Sequence, residues 1–450
     1  MLHVAQDDAV CELAGDGVVD LRLLPRQLEV RATCYDVAIV GMGYVGLPTA
    51  LAFSAAGASV MGLDVSSRRL DVIRGGTPDL LATDQVRLVT ALEDHNLALS
   101  SSMDELRNAA AVIICVPTPV DAHLVPDLRM LAAACDSVVA HAQPGQVLLL
   151  TSTSYVGTTR DLLVEPLRRR GFQVGQDIFV AFSPERIDPG NAGFPQESVP
   201  RVVGGVTAEC TRRASDALSA YARRLHVVSN PETAELTKLF ENTFRAVNIA
   251  LVNELADLTG DLGVDVVEVI DAASSKPYGF MPFMPGPGVG GHCIPCDPHY
   301  LLWQLKRDRR AAPIIEQAMA AIAQRPRRVV ERVRELLSER GRPVVGARIL
   351  IAGAAYKAGV ADVRESPVIE IIERLQAAGA HVRYVDPLVP ELRLPDGSAL
   401  LSTEGATLEQ HDLVVLCQVH PGATYAWLAE HQLVLDTTYR HTPLPQRVML

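Results

Sequence analysis

The segment GVGGHCIPCD sets a thiol, Cys293, on a glycine-rich turn with a carboxylate, Asp297, four residues further on. Glycines beside the sulfur let a carbonyl carbon approach without side-chain collision, so one chemistry for this pattern is nucleophilic attack. Two others compete. His292, Cys293, Cys296 and Asp297 are all possible zinc ligands, although a structural zinc site usually takes a second ligand pair and none is visible. Cys293 and Cys296 also form a C-x-x-C pair, yet redox pairs of the thioredoxin type open a helix after a strand, and Ile294 and Pro295 read as irregular loop. Taken alone, a buried, inert cysteine would be the commonest fate of either thiol.

A second pattern concerns phosphate. Gly41, Gly43 and Gly46 form G-x-G-x-x-G between the apolar run DVAIV and a helix-like segment. A dinucleotide pyrophosphate fits such a turn, because the backbone is bare and a helix N-terminus points at the anion. Asp64 ends the next apolar run about 20 residues on, where a carboxylate accepts ribose hydroxyls and repels a 2′-phosphate, favouring NAD over NADP. Arg68 and Arg69 follow it and are the counterargument, since they could clamp that phosphate. A third pair is Lys238 and Asn242 in AELTKLFENTF. At helical spacing they share one face and can reach one oxygen, as an oxyanion site requires, though a solvated lysine face would look the same.

The elements that must position these groups are legible as periodicity. From Tyr35 the apolar runs YDVAIV, AAVIIC, GQVLLL and DIFVAF alternate with helix-length segments, the pattern of a parallel sheet buried on both faces. Glu232 to Glu268 carries apolar residues at three- and four-residue spacing and predicts helices, one of them long. SSKPYGFMPFMPGPGVGGHCIPCDPHY, dense in Pro and Gly, predicts a shaped loop. ARILIAGAAYKAGVADVRESPVIEIIERLQAAGAHVRYVDP then repeats the strand–loop–helix–strand order of the N-terminal unit. The expected fold is therefore α/β, with two Rossmann-like doubly wound domains joined by a long-helix connector. Its expected parts are an extension (1–34), a dinucleotide-binding domain (35–225), a helical connector carrying the cysteine loop (226–340) and a C-terminal α/β domain (341–450).

Composition narrows the function. The chain has 450 residues, 48% of them hydrophobic, with 53 acidic against 41 basic residues and a formal charge of −12. That length suits two or three domains, and the acidic balance with only 5% aromatics argues against nucleic-acid partners. Eight scattered cysteines suit a reducing compartment rather than a secreted disulfide framework. The N-terminus has no basic stretch followed by an apolar run, and no apolar run reaches about 18 residues, so a soluble, cytoplasmic protein without a membrane partner is expected.

Taken together, VGMGYVGLPTA, VPTP, TSTSYVGTT, FSPERIDPGN, AELTKLFENTFRAVNIALVNELA, PGPGVGGHCIPCDPHYL, AYKAGVADVRESP and LDTTY resemble, in order, the UDP-glucose and UDP-N-acetylhexosamine 6-dehydrogenase family. The resemblance implies an enzyme that oxidises the 6-alcohol of a nucleotide-diphosphate hexose to a carboxylate with two NAD, through a thioester on Cys293. It implies a homodimer or higher homo-oligomer built on the long helix, and no metal. The catalytic set it implies is Cys293, Lys238, Asn242, Asp297, Thr153 and Glu185, with Lys238 and Asn242 stabilising an oxyanion and Thr153 and Glu185 serving thioester hydrolysis.

It further implies cofactor contacts from Gly41, Gly43, Val45, Gly46, Asp64, Arg69, Pro117, Thr118, Thr153 and Arg364. Substrate contacts would come from Glu185, Arg186, Lys238, Asn242, Gly290 and Lys357, and Ser366 lies in the same implied segment as Lys357. Asp362 and Glu365 would orient Arg364. His292 before the thiol, where the UDP-glucose branch usually has serine, brings the sequence nearer the N-acetylhexosamine branch. UDP-glucose and dTDP-glucose remain alternative substrates, and a two-electron hydroxy-acid dehydrogenase or a non-catalytic sugar-nucleotide binder remain alternative functions.

Overall fold

The computed structural model describes residues 34–78, 80, 82–186, 196–403, 411–430, 433–440 and 447–450, so the leucine-rich stretch before Tyr35 lies outside the described residues. Eight strands make the first sheet: β1 (Tyr35–Val40), β2 (Val60–Leu63), β3 (Leu97–Ser100), β4 (Ala109–Ile114), β5 (Val147–Leu150), β6 (Phe179–Phe182), β7 (Arg201–Gly205) and β8 (Leu225–Val227). Their order is β3-β2-β1-β4-β5-β6-β7-β8, so the chain reverses direction across the sheet at β1/β4, the point where ligands collect in doubly wound folds. The central strands β2, β4, β5 and β6 are apolar throughout because helices cover both faces. Ile39, Leu47, Leu51 and Leu149 fill one core and Val40, Val138, Leu148 and Phe182 the other. One pair departs from the all-parallel expectation: β6 and β7 are antiparallel through Ala181–Gly205 and Phe182–Gly204.

The connector begins with a helix, Pro231–Leu262, of 32 residues. The Asn230 side chain accepts the Thr233 N–H as N-cap, Pro231 follows where a missing N–H costs nothing, and Gly263 ends the helix in the left-handed region. At 1.5 Å per residue it extends about 48 Å, enough to run from the first sheet to the second. The Pro/Gly-rich stretch is a loop, as expected, and it leads into the helix Asp297–Arg307 and then the helix Pro313–Glu339, which packs on the 231–262 helix.

The second sheet contains β9 (Arg348–Ala352), β10 (His381–Val385), β13 (Leu413–Leu416), β14 (Val434–Asp436) and β15 (Arg447–Met449), all parallel, in the order β10-β9-β13-β14-β15. A small antiparallel hairpin of β11 (Glu391–Arg393) and β12 (Ala399–Leu401) interrupts the alternation. Its core is continuous with the connector, since Val252, Val329, Val333, Ile349, Ile371 and Leu435 share one cluster. That shared core holds the C-terminal sheet against the helices that carry Lys238 and Asn242.

Candidate active site

The turn after β1 divides its glycines by job. A Cβ on Gly46 would lie 1.8 Å from the Gly41 carbonyl oxygen, and one on Gly41, at φ +92°, would lie 2.5 Å from the Cys115 carbonyl oxygen. A Cβ on Gly43 meets nothing within 4 Å, so the open face of the turn is the one a pyrophosphate would use. The helix Gly46–Ala55 starts at Val45 with no side-chain cap and offers its N-terminus to an anion. Asp64 sits beside the turn, its carboxylate accepting the Met42 N–H at 2.9 Å and the Ser66 N–H at 2.9 Å. Arg69 gives its Nε–H to the Met42 carbonyl at 2.8 Å and so supports the same turn, while Arg68 is exposed. Pro117 and Thr118 follow β4, Pro117 exposed and Thr118 buried. The residues fit NAD. Gly46→Ala is expected to shift the turn, with loss of about 1–3 kcal/mol of stability and of NAD affinity; thermal melting with an NAD titration checks both.

The thiol loop meets the connector at Asp297, the first residue of its helix. The Asp297 N–H donates to the Cys293 carbonyl at 2.8 Å, fixing the turn between them. The Asn242 Nδ2–H donates to Asp297 Oδ2 at 2.5 Å, and Lys238, one helical turn before Asn242, is also buried. Burial pushes the Asp297 carboxyl up to about 6, against the Lys238 charge and the Asn242 hydrogen bond, which pull it down. The Cys293 thiol reaches solvent yet is ringed by protein. Burial and then the Asp297 charge push its pKa up, while Lys238, Arg245 and Arg364 draw it down. Cys296 is buried and pushed up to about 12, a poor thiolate. The Cys293–Cys296 pair lies on the turn that opens the Asp297–Arg307 helix, but no strand precedes it, unlike a thioredoxin pair. Among the described residues, no three His, Cys, Asp or Glu side chains form a metal-binding group.

The C-terminal unit closes on both features. The Gly291 N–H donates to the Arg364 carbonyl at 3.0 Å, and a Cβ on Gly290 would lie 2.5 Å from the Tyr356 Cβ and 2.7 Å from the Glu365 carbonyl oxygen. Arg364 is held by both carboxylate oxygens of Asp362, at 2.6 to 3.1 Å, and its guanidinium lies 5.0 Å from the ring of Tyr44 in the glycine turn. One loop, 353–366, thus touches the cofactor turn and the thiol loop together. Lys357 is half-buried on it. Ser366 is committed to structure: its hydroxyl donates to the Ala354 carbonyl at 2.7 Å and caps the helix Pro367–Ala377.

Thr153 follows β5 and is half-buried; Glu185 and Arg186 follow β6. The Arg186 side chain pairs with Glu241, the neighbour of Asn242, at 2.5 Å. Glu185 accepts from Arg201, a residue without a sequence signal beyond a charge at the head of an otherwise apolar strand. Glu235 was equally silent: buried beside Lys238 on the same helix, it accepts from the Gly157 N–H at 2.6 Å and from the Thr159 N–H at 2.8 Å. It ties the loop carrying Thr153 to the helix carrying Lys238. Arg325 binds the start of the thiol loop at the Gly286 carbonyl, 2.9 Å away, and Asp257 at 2.7 Å.

Because Lys238 keeps Asp297 from rising further, Lys238→Met is expected to move the acid limb of the pH–activity profile above pH 6, where Asp297 itself titrates. A kcat profile from pH 5 to 9 checks this; an unmoved limb would contradict it.

Comparison with known proteins covers most of the described chain. Residues 35–222 match the NAD binding domain of the UDP-glucose/GDP-mannose dehydrogenase family, 232–323 its central domain and 350–442 its UDP binding domain. The chain is 34% identical over 358 residues to a UDP-N-acetyl-D-glucosamine 6-dehydrogenase of Pseudomonas aeruginosa, covering 78% of this chain and 83% of that one. It is 33% identical over 398 residues to the UDP-N-acetyl-D-mannosamine dehydrogenase of Escherichia coli K12, covering 85% and 93%. The solved UDP-N-acetyl-D-mannosamine dehydrogenase of Pyrococcus horikoshii superposes with a TM-score of 0.83 at 30% identity, over 92% of this chain and 98% of that one. With three domain models matched in order and relatives covered nearly end to end, the chain belongs to the UDP-glucose/GDP-mannose dehydrogenase family.

Proposed function

We propose that this NAD-dependent UDP-sugar dehydrogenase oxidises C6 of a UDP-N-acetylhexosamine to the carboxylate through a thioester on Cys293. The observation that carries the mechanism is the Asn242–Asp297 contact of 2.5 Å, which brings the helix bearing Lys238 to the turn bearing Cys293. The N-acetylhexosamine is supported by His292 before the thiol and by the relatives' activities. In this reading residues 35–225 hold NAD, 226–340 carry the chemistry and 341–450 bind the nucleotide, with Lys357 and Arg364 supplying cations to an otherwise acidic chain.

NAD, held by the Gly41–Gly46 turn and Asp64, would supply the hydride acceptor for two successive oxidations. Lys238 and Asn242 hold the C6 oxygen while its proton passes, in each oxidation, to water ordered beside Asp297 and on to solvent. The Cys293 sulfur adds to the aldehyde carbon, its proton passing to the aldehyde oxygen, and the second oxidation leaves an acyl group on sulfur. Water then adds to that carbonyl, Asp297 takes the proton, the C–S bond breaks, and the departing sulfur recovers the proton, since its pKa lies above that of Asp297. Thr153 and Glu185 order the water.

Assay of UDP-N-acetylglucosamine, UDP-N-acetylmannosamine, UDP-glucose and dTDP-glucose tests the reading. Two NADH per sugar are expected, with the N-acetylated sugars turned over best. One NADH per sugar would indicate a simple dehydrogenase, and a clear preference for a glucose substrate would move the chain to the other branch.

The homodimer belongs to the same proposal. Leu236, Phe240, Phe244, Leu251, Leu258 and Leu262 recur at helical spacing along one exposed face of the 231–262 helix, from 38% to 75% exposed. Phe240→Glu with Leu251→Glu is expected to yield monomers by light scattering; an unchanged oligomer would contradict this. A reducing, cytoplasmic setting is supported by seven described cysteines, all unpaired. No helix among the described residues is long and apolar enough to cross a membrane.

A further inference from the structure

Arg201 opens β7, a strand otherwise made of valine and glycine, and its side chain is only 2% exposed. A guanidinium in that position has lost its water and must be repaid by specific partners. Its NH1 donates to Glu185 Oε2 at 2.6 Å and its NH2 to the Ser183 carbonyl at 3.4 Å, so both contacts fall on the short segment that leaves β6. The ring of Tyr221 lies 6.0 Å from the guanidinium carbon, and the Arg201 Nε has no partner among the described residues. The other carboxylate oxygen, Glu185 Oε1, accepts the Arg186 N–H at 2.8 Å. Both oxygens of Glu185 are therefore aimed by fixed donors, one of them a guanidinium whose charge burial disfavours and the Glu185 ion pair maintains.

We propose that Arg201 is a positioning residue for hydrolysis of the acyl-enzyme: it fixes the direction of the Glu185 carboxylate, so that Glu185 aligns the attacking water while Asp297 takes its proton. The inference rests on the thioester reading above. Both Glu185 oxygens are already engaged by directed donors, whereas among the described residues Asp297 has no arginine ion pair and burial pushes its carboxyl up to about 6, which suits it to take the proton. The step balances as water plus acyl-sulfur giving carboxylic acid plus thiol, with Glu185 neither gaining nor losing a bond. A purely structural ion pair would instead serve all steps alike, through folding.

The two readings separate in transient kinetics. In Arg201→Lys the ammonium keeps the charge but cannot reproduce two directed N–H bonds, and misplacement of the water is expected to slow hydrolysis roughly 10²-fold. Mixing this variant with NAD and UDP-N-acetylglucosamine is expected to give a rapid burst of two NADH per site, then slow turnover. Quenched samples should carry an acyl adduct on the Cys293 peptide that hydroxylamine removes. Should the lysine variant melt too early to assay, Arg201→Gln, which keeps one N–H donor without the charge, carries the same test. Equal slowing of burst and turnover, or wild-type kinetics without an adduct, would overturn the positioning role. Absence of any Cys293 adduct in every variant, with one NADH per site, would instead overturn the thioester reading itself.

Discussion

Cys293→Ser is expected to lower formation of the sugar acid by roughly 10⁴-fold or more, the order of loss seen when a covalent nucleophile is removed. Serine keeps the size and polarity of the side chain, and the thiol takes no part in holding the loop: the Asp297 N–H and Cys296 N–H bind the Cys293 carbonyl, which serine retains. Folding and NAD affinity are therefore expected to be unchanged. What is lost is an atom that attacks at neutral pH and leaves again at hydrolysis, since an alkoxide is a far poorer leaving group than a thiolate. The measurement is acid formed per enzyme with NADH followed in parallel. Full turnover to acid in the serine variant would contradict covalent catalysis.

Asp297→Asn is expected to lower kcat by about 10²–10⁴-fold, the range for removal of a general base, and to raise thermal stability at neutral pH. The sign follows from the carboxyl's shift. Its pKa in the folded chain is about 6 against an ordinary 3.8, so the native state binds the proton more tightly than the unfolded state. Stability from this group is greatest below that window and falls as pH rises through it, by about 3 kcal/mol at 1.36 kcal/mol per unit. Asparagine is never ionised and escapes that cost. The stability gain over the native enzyme should vanish near pH 4, and melting curves at pH 4 and pH 8 check it. A variant that is less stable at pH 8 would mean that the Lys238 and Asn242 contacts outweigh the burial of the charge.

Much of the positioning framework is legible in the residues. Strands buried on both faces must be apolar along their buried length, so Val37–Val40 of β1 and the whole of β4, β5 and β6 stand out. The 231–262 helix declares itself by period, by the Asn230–Pro231 start and by the Gly263 stop. Elements of three residues do not, which is why the β11–β12 hairpin was unforeseen; the direction of β7, set by pairing with β6, carries no local signature. The site divides in the same way. Cys293, Asp297, Lys238 and Asn242 have neighbours in sequence that announce them. Arg201, Glu235, Tyr44 and Arg325 act through partners 16 to 78 residues away or on another domain, and no local pattern encodes that.

The clearest partnership of this kind is the meeting of Arg364 with Tyr44, because it joins loop 353–366, the cofactor turn and, through Gly291, the thiol loop. The family resemblance implied that Arg364 contacts the cofactor. The structure adds that Asp362 fixes its guanidinium beside the NAD turn, so that cofactor and thiol are referred to one rigid segment. Gly290 is part of the same fit, since any side chain there would strike Tyr356.

The central claim is that an acyl group passes through the sulfur of Cys293. Intact-protein and peptide mass spectrometry of Asp297→Asn, quenched in acid during turnover of UDP-N-acetylglucosamine with NAD, addresses it directly. The expected result is an adduct of the nucleotide-sugar acyl group on the peptide holding Cys293, released by hydroxylamine and absent from the Cys293→Ser, Asp297→Asn double variant. Two NADH and free acid from an enzyme that never carries such an adduct, at any quench time, would contradict the mechanism.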